Sequence, residues 1–263
     1  MPYGHNGMRC AVLSGTDSEV IRNVGESTWS VTVPTPLPPW WVSALTGAVA
    51  LFAVASAVVP RVSLLRKAMF AFTVLGTITH EAGHGLASVV TGGGVQFIEI
   101  HSPDSGRTWT WYPSWPSAVV TTAAGYAAPP LAGLGFAALL AQGKAPMVLA
   151  LTVAAMALVL VVSRDVLTVA SVVTVGAVAF VVVRWGSVEV QHWVAYTETW
   201  LLLLSELAGL WAIVKNRLRG VNDVRDDART LAADTHIPAL VWIAGWVALN
   251  CWVLWKAVPL LWP

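Results

Sequence analysis

Residues 80–84 read HEAGH, a short motif whose residue types can bind a metal ion and activate water. His80 and His84 are four residues apart, so on a helix both imidazoles project from one face, one turn apart. Glu81 lies beside the first histidine, close enough to accept a proton from a metal-bound water. In HExxH motifs the two histidines bind zinc, which keeps one coordination position for water. The motif predicts a zinc held by His80 and His84, with Glu81 as the general base.

The motif lies within an otherwise apolar stretch, AMFAFTVLGTITHEAGHGLASVVTG. An ionised side chain at the centre of a membrane helix costs about 2.5 to 3.5 kcal/mol on insertion scales, so polar groups there need partners inside the bundle. A divalent cation is such a partner for all three side chains. The alternative is a metal-free polar contact between helices.

Two histidines and a water leave one protein ligand of the zinc to be found. The candidates are the acidic residues within or beside apolar segments: Asp165, Glu198, Glu206, Asp226 and Asp227. Asp165 is the first choice, because a backbone break between two apolar segments can direct its carboxylate into a bundle. Its alternative role is an ion pair with the adjacent Arg164. Glu206 is the second choice, while Asp226 and Asp227 are expected to be solvated in a charged loop.

The whole chain has the composition of a membrane protein. Of its 263 residues, 56% are hydrophobic and 11% are charged, whereas a soluble domain has about 25% charged residues. A helix needs about 20 apolar residues to cross a bilayer. Seven segments qualify: 42–60, 68–91, 117–141, 146–162, 166–183, 193–214 and 237–259. We therefore expect an all-α polytopic membrane protein, a bundle of about six to seven transmembrane helices.

Other features of the chain bound its organisation. Residues 1–39 are polar and end in VPTPLPPW, which predicts a disordered tail and an extended linker, without a cleavable signal peptide. Residues 40–263 are then the membrane domain, with a core at about 68–183. The net charge of +1 does not favour a nucleic-acid partner. Cys10 and Cys251 predict neither a disulfide framework nor a cysteine metal site.

Positive charge predicts the orientation in the cell membrane. Five cations lie between the sixth and seventh predicted spans: Lys215, Arg217, Arg219, Arg225 and Arg229. The positive-inside rule places that loop in the cytoplasm. With seven spans, alternation then predicts a cytoplasmic N-terminus. A counter-signal follows the first span, at Arg61, Arg66 and Lys67.

A β-hairpin is predicted directly after the HEAGH helix. Three glycines at 92–94 can end the helix. The β-prone sequences VQFIEIH and RTWTWY then flank the turn sequence SPDSG. An exposed strand edge can pair with an unwound peptide by β-addition, and Val95, Phe97 and Glu99 are the predicted substrate-binding residues. The alternative is a surface loop without a binding role.

These features together resemble the site-2 protease family of intramembrane zinc metallopeptidases, in particular its compact bacterial and plant B-type members. The resemblance rests on HEAGH, GGGVQFIEIHSPDSGRTWT, AAGYAAPPLAG, SRDVLT and DDARTLAADTHIPALVW, in that order across residues 68–255. It implies an endopeptidase that cuts membrane protein or peptide substrates within or near the lipid bilayer. His80 and His84 would be its zinc ligands, Glu81 its general base and the hairpin its substrate receptor.

Two elements of the chain differ from the pattern of that family. The third zinc ligand of the family is an aspartate in an LDG-type motif, which this chain lacks. Asp165 lies at the corresponding point in segment order, so the resemblance carries the role to it. Where the family has a GP-type element, this chain has Ala128, Pro129 and Pro130.

Two other functions are compatible with parts of the sequence. A membrane di-iron oxygenase also uses HxxxH boxes, but it needs several more histidines. The remaining ones form no second box: His5, His101, His192 and His236. A non-catalytic scaffold or transporter with the same fold is favoured by the missing LDG motif and disfavoured by the intact Glu81.

Overall fold

A computed structural model of the protein describes residues 31–58, 63–102, 105–220 and 226–262. In chain order its elements are α1 (Trp40–Val58), α2 (Ser63–Val90), β1 (Gly94–Ser102), β2 (Ser105–Trp111), α3 (Trp115–Leu140), α4 (Ala145–Val162), α5 (Val166–Trp185), α6 (Val188–Leu218), α7 (Asp227–Thr235) and α8 (Ala239–Leu260). The predicted disordered tail falls largely on residues 1–30, which lie outside the described part of the chain.

Each of the seven predicted spans corresponds to a long helix, namely α1 to α6 and α8. Within the described ranges, α3, α4, α5, α6 and α8 are long and apolar enough to cross a membrane, and α1 contains a shorter apolar helix, Trp40–Ser56. The predicted all-α, multi-pass membrane fold is therefore confirmed. The span pattern does not include α7, a nine-residue helix of largely polar sequence.

Short polar residues fix where four of the helices begin. Ser114, Asp165, Ser187 and Asp226 cap α3, α5, α6 and α7, each accepting a hydrogen bond from the backbone N–H three residues later. The HEAGH helix, α2, is followed by Gly92 with φ of 87°, a left-handed conformation that favours glycine. Two of these caps, Asp165 and Asp226, are acidic residues that the sequence analysis names as candidate zinc ligands.

The predicted hairpin is confirmed and packs into the bundle beside α2. β1 and β2 form an antiparallel two-stranded sheet. Ile98 and Ile100 of β1 are buried, and they share one hydrophobic cluster with Val74 and Ile78 of α2. These apolar contacts hold the hairpin against the helix that carries the HEAGH motif.

Helices α1 and α6 lie side by side and run in the same direction. Near the start of both, the ring of Trp41 lies 5.7 Å from that of Trp193. Further along both, Leu51 and Leu204 line one shallow groove. The two helices therefore begin at the same end of the bundle.

The segments before α1 and after α6 lie at opposite ends of α6. Before α1, Thr35 Oγ1 lies 3.1 Å from Nε2 of His192, near the start of α6. After α6, Asp226 forms a 2.9 Å ion pair with Arg217 near its end. His192 and Arg217 are 25 residues apart in one helix, about 38 Å at 1.5 Å per residue. Alternation over the six spans from α1 to α6 would put both segments on one side of the membrane, whereas the structure places them at opposite ends of α6. The cytoplasmic N-terminus therefore stays a prediction, which depends on the end of α6 that faces the cytoplasm.

Candidate metal centre and catalytic site

His80 and His84 lie on consecutive turns of α2, and their Nε2 atoms both face one carboxylate oxygen. Oδ2 of Asp227 lies 3.2 Å from Nε2 of His80 and 3.3 Å from Nε2 of His84. The ligand atoms of the three residues lie within 4.8 Å of one another. Across the part of the chain that the structure describes, no other group of three or more histidine, cysteine or acidic side chains has this property.

The remaining ring nitrogen of His84 reveals how that imidazole is oriented. Nδ1 lies 2.8 Å from the carbonyl oxygen of Thr121. Because a carbonyl oxygen only accepts, Nδ1 carries the hydrogen and donates it, and the Nε2 lone pair of neutral His84 faces Asp227. Two acceptors at 3.3 Å repel each other unless a proton or a metal ion lies between them. The donor set therefore fits a divalent cation.

Glu206 supports the other imidazole from behind. Its Oε2 lies 3.3 Å from Nδ1 of His80, and the side chain is buried. A carboxylate that accepts a hydrogen bond from Nδ1 fixes the ring orientation and makes Nε2 a stronger ligand. Glu206, the second-choice ligand from the sequence, is thus placed to orient His80.

Asp227 reaches the histidines because α7 begins at this residue. The preceding Asp226 caps α7 and is tied to α6 through its ion pair with Arg217. Burial raises the pKa of Asp227, but when the imidazoles are protonated the charge of His84 and the hydrogen bonds with His80 and His84 outweigh burial and hold that pKa well below its ordinary value. Asp227 is therefore a carboxylate, which is the form that binds metal ions.

The space between the two Nε2 atoms depends on Gly125 of α3. A Cβ at this position would lie 2.4 Å from Nε2 of His84 and 2.6 Å from Nε2 of His80. Non-bonded heavy atoms pack best at about 3.5 to 4.0 Å, so any side chain here would displace the imidazoles. Glycine leaves room where an ion would contact both histidines.

Glu81 is buried beside the histidines and is bound by the hairpin. The hydroxyl of Thr108 on β2 donates to Oε2 of Glu81 at 2.6 Å and to its carbonyl oxygen at 3.0 Å. Only 6% of the residue is exposed. Within the described ranges no hydrogen bond occupies Oε1, so this oxygen is available to accept a proton.

A cavity of about 810 Å³ connects these groups. Its inner wall includes His80, Glu81 and Tyr126, and its lining extends to Lys215 and Arg219 at the end of α6. The cavity is large enough to take a segment of extended peptide.

Comparison of the sequence with known families gives a match to the peptidase M50B-like family over residues 44–257. The chain belongs to the peptidase M50B-like family. This confirms the resemblance to the site-2 proteases. Comparison with curated proteins and with solved structures found no match.

In this M50B-like chain Asp165 lies elsewhere than the sequence predicts, and it is not a member of the group around the histidines. It caps α5, where Oδ1 accepts from the backbone N–H of Thr168 at 3.0 Å and Oδ2 accepts from the Thr168 hydroxyl. Burial raises the pKa of Asp165, but hydrogen bonds, chiefly those from Thr168, together outweigh it and lower the pKa. The backbone break between α4 and α5 thus uses the carboxylate as a cap instead of directing it toward His80 and His84.

The sequence predicts a solvated Asp227, whereas in this M50B-like site its carboxylate faces His80 and His84. The sequence does contain a signal for the start of this helix. Asp226 is a residue type that caps helices, and a second acidic residue, Asp227, follows it in the first turn. A capped helix gives the next carboxylate a fixed direction. What the sequence does not contain is the distance between this helix start and α2.

The three predicted substrate-binding residues do not share one face of the hairpin. A register shift lies between Val95 and Phe97. Val95 packs against the buried cluster that contains Ile98, whereas Phe97 lies 5.5 Å from the ring of Trp109. Alternation along the strand puts Glu99 on the same side as Phe97.

The outer edge of β1 is covered, while that of β2 borders the cavity. Ile98 forms a parallel bridge with Ser163, and the N–H of Ile100 donates to Thr168 Oγ1 at 2.6 Å. In the described parts of the chain, β2 has backbone hydrogen bonds to β1 and to no other segment. Residues 105–110 of β2 line the cavity. Among the described residues, the hairpin edge without backbone partners is therefore that of β2.

Proposed function

We propose that this M50B-like protein is an intramembrane zinc metalloendopeptidase that hydrolyses peptide bonds of membrane-spanning substrates. The observation that carries the proposal is the convergence of His80, His84 and Asp227 on one point, with Glu81 beside them. Two histidines and a carboxylate form a donor set of catalytic zinc sites. Asp227 replaces Asp165 as the proposed third ligand.

The residues around the donor set have distinct roles in the proposed hydrolysis. Zinc bound there would keep a position for water, lower the pKa of that water and polarise a peptide carbonyl. Glu81 accepts the proton of the attacking water at Oε1, while Thr108 holds Oε2, and Glu81 then delivers that proton to the leaving amine. Thr121 and Glu206 keep the two imidazoles in position.

The edge of β2 is the proposed binding site for the substrate backbone. A peptide bond in a membrane helix is shielded by its own hydrogen bonds, so it must unwind before it is cut, and unwound backbone inside a membrane needs new partners. A strand edge supplies them by β-addition. Because Thr108 of β2 is bound to Glu81, a strand added to this edge lies close to the general base.

Two features favour catalysis over a non-catalytic scaffold. A scaffold needs neither the hydrogen bond from Thr108 to Glu81 nor the space that Gly125 leaves between the histidines. A di-iron centre would require a second histidine-rich group, and none is found within the described ranges. The hydrogen bond from Thr108 to Glu81 and the space at Gly125 are both expected of a site with one metal ion and a general base.

We also propose an orientation for the protein in the membrane. The end of α6 that carries Lys215, Arg217 and Arg219 faces the cytoplasm. The cavity then extends toward the cytoplasm, and water reaches the site from that side. In this orientation Thr35 lies on the opposite side of the membrane from Asp226, unlike the arrangement that alternation predicts.

The experiment that tests the function compares membrane protein fragments in cells that express wild type or Glu81→Gln. Glu81 is not a metal ligand, so the variant is expected to keep its zinc and to lose proteolysis. Fragments present with wild type and absent with Glu81→Gln identify substrates. The control is Glu189→Gln, at an exposed position at the start of α6. Identical fragments in cells with wild type and Glu81→Gln would contradict the proposal.

A further inference from the structure

Tyr126 lies between the metal centre and α8. Its ring packs edge-on against His80, with centroids 4.6 Å apart and planes at 88°. On its other side the ring of Trp246 lies 4.6 Å away at 35°. Trp246 is held by its own hydrogen bond, from Nε1 to the carbonyl oxygen of Ala123 at 3.1 Å. The tyrosine ring is therefore fixed from both sides, next to a histidine of the site.

The hydroxyl group of Tyr126 has no hydrogen-bond partner among the described residues, although the side chain lines the cavity. A tyrosine hydroxyl usually has a hydrogen-bond partner when it is buried, and a molecule bound in the cavity would supply one to Tyr126. Gly209 lies against the edge of this ring, where an added Cβ would be 3.3 Å from Cε1 and 3.7 Å from Oη of Tyr126. If the ring served only to pack between His80 and Trp246, phenylalanine would do so equally well.

The other functional groups at this end of the cavity are carboxylates that already have partners. Glu206 contacts His80, Asp227 faces both histidines, and Glu81 accepts from Thr108. All three carboxylates are acceptors. Peptide hydrolysis also needs donors, because the carbonyl oxygen of the scissile bond gains negative charge as water adds to its carbon.

We propose that Tyr126 is a further catalytic residue, whose hydroxyl donates a hydrogen bond to the carbonyl oxygen of the scissile peptide bond. This inference rests on the proposed peptidase function. As the oxygen of water bonds to the carbonyl carbon, the π pair moves to the carbonyl oxygen and Glu81 takes the proton of the water. Tyr126 keeps its proton throughout and stabilises the oxyanion by the hydrogen bond. When the C–N bond breaks, the electron pair returns to the carbonyl and the nitrogen leaves with the proton from Glu81.

The variant Tyr126→Phe isolates the hydroxyl, because the ring and its contacts with His80 and Trp246 remain. The substrate is the purified transmembrane fragment that the Glu81→Gln comparison identifies. We expect kcat to fall by about 10²-fold, the effect of removing one oxyanion donor, with KM changed less than threefold and the zinc content unchanged. The control is Tyr196→Phe, which removes a buried hydroxyl of the core cluster that also has no hydrogen-bond partner among the described residues. It should leave kcat unchanged.

A binding measurement gives a second readout. A phosphinic analogue of the cleaved peptide carries a tetrahedral, anionic centre in place of the scissile carbonyl, so Tyr126→Phe should weaken its binding by a similar factor. A kcat within twofold of wild type, or a fall in kcat that accompanies loss of zinc, would overturn the assignment of Tyr126. Wild-type protein that cleaves no membrane protein would overturn the peptidase function itself and this inference with it.

Discussion

The hydroxyl of Thr108 donates a 2.6 Å hydrogen bond to Oε2 of Glu81, which joins the β-hairpin to the HEAGH helix at the carboxylate proposed as general base. The same hydroxyl lies 3.0 Å from the Glu81 carbonyl oxygen. One side chain of the proposed substrate-binding strand thus fixes both the backbone and the carboxylate of the base. A substrate strand paired with β2 would therefore lie beside the proposed base.

Thr108→Val tests this connection. The variant keeps the shape of the side chain and removes the donor to Glu81. We expect kcat to fall by about 10-fold or more, the usual effect of removing a group that orients a catalytic residue, with the zinc content unchanged. The measurement is single-turnover cleavage of a substrate fragment.

The matched control for Thr108→Val is Thr152→Val. The Thr152 hydroxyl also donates to a buried glutamate, Glu198, but neither residue lines the cavity. The control should lower thermal stability without lowering the cleavage rate per folded molecule. Equal cleavage by wild type and Thr108→Val would refute the role of Thr108.

Glu206→Gln tests the support of His80. The amide cannot supply the negative charge that strengthens Nε2 as a ligand, so zinc affinity should fall by about 10-fold or more. Competition with a chelator of known affinity measures this change. Glu198→Gln, eight residues earlier on the same helix and equally buried, serves as the control and should bind zinc as wild type does. Unchanged affinity in Glu206→Gln would remove Glu206 from the site.

Gly125→Ala tests the space between the histidines. The added methyl group would lie 2.4 Å from Nε2 of His84, so the imidazoles must separate and zinc binding should be lost. Gly135→Ala on the same helix meets no heavy atom within 4 Å of the added Cβ. This control should retain zinc and gain slightly in helix stability. A fully zinc-loaded Gly125→Ala protein would show that the ion does not lie between these nitrogens.

The orientation of the ends of α6 can be tested with single cysteines in a background without Cys10 and Cys251. Val33→Cys precedes α1, and Ala233→Cys lies on an exposed face of α7. A membrane-impermeant maleimide added to intact cells should label residue 33 and not residue 233. Labelling of both residues from the same side would contradict the arrangement of α1 and α6 in this structure.

Much of the fold follows from local patterns in the sequence. Apolar runs of bilayer length predict the seven long helices, and the spacing of His80 and His84 predicts one shared helix face. The hairpin follows from β-prone segments around a turn. These features depend on neighbours in the chain, so the sequence alone is enough to predict them.

The rest of the site depends on contacts between distant segments. Asp227 is 143 residues from His84, and only the packing of α7 against the bundle brings its carboxylate there. Asp165 lies outside this group, because a carboxylate at a helix break can also satisfy exposed N–H groups as a cap, and Asp165 caps α5 in this way. The register shift between Val95 and Phe97 likewise arises in the pairing of β1 with β2.

Zinc content of purified protein tests the central claim most directly, namely that His80, His84 and Asp227 hold one catalytic metal ion. Wild type and Asp165→Asn should each contain about one zinc per chain, the complement of a catalytic site, while Asp227→Asn, His80→Ala and His84→Ala should contain far less. Full zinc occupancy in Asp227→Asn, together with loss of zinc in Asp165→Asn, would contradict the account.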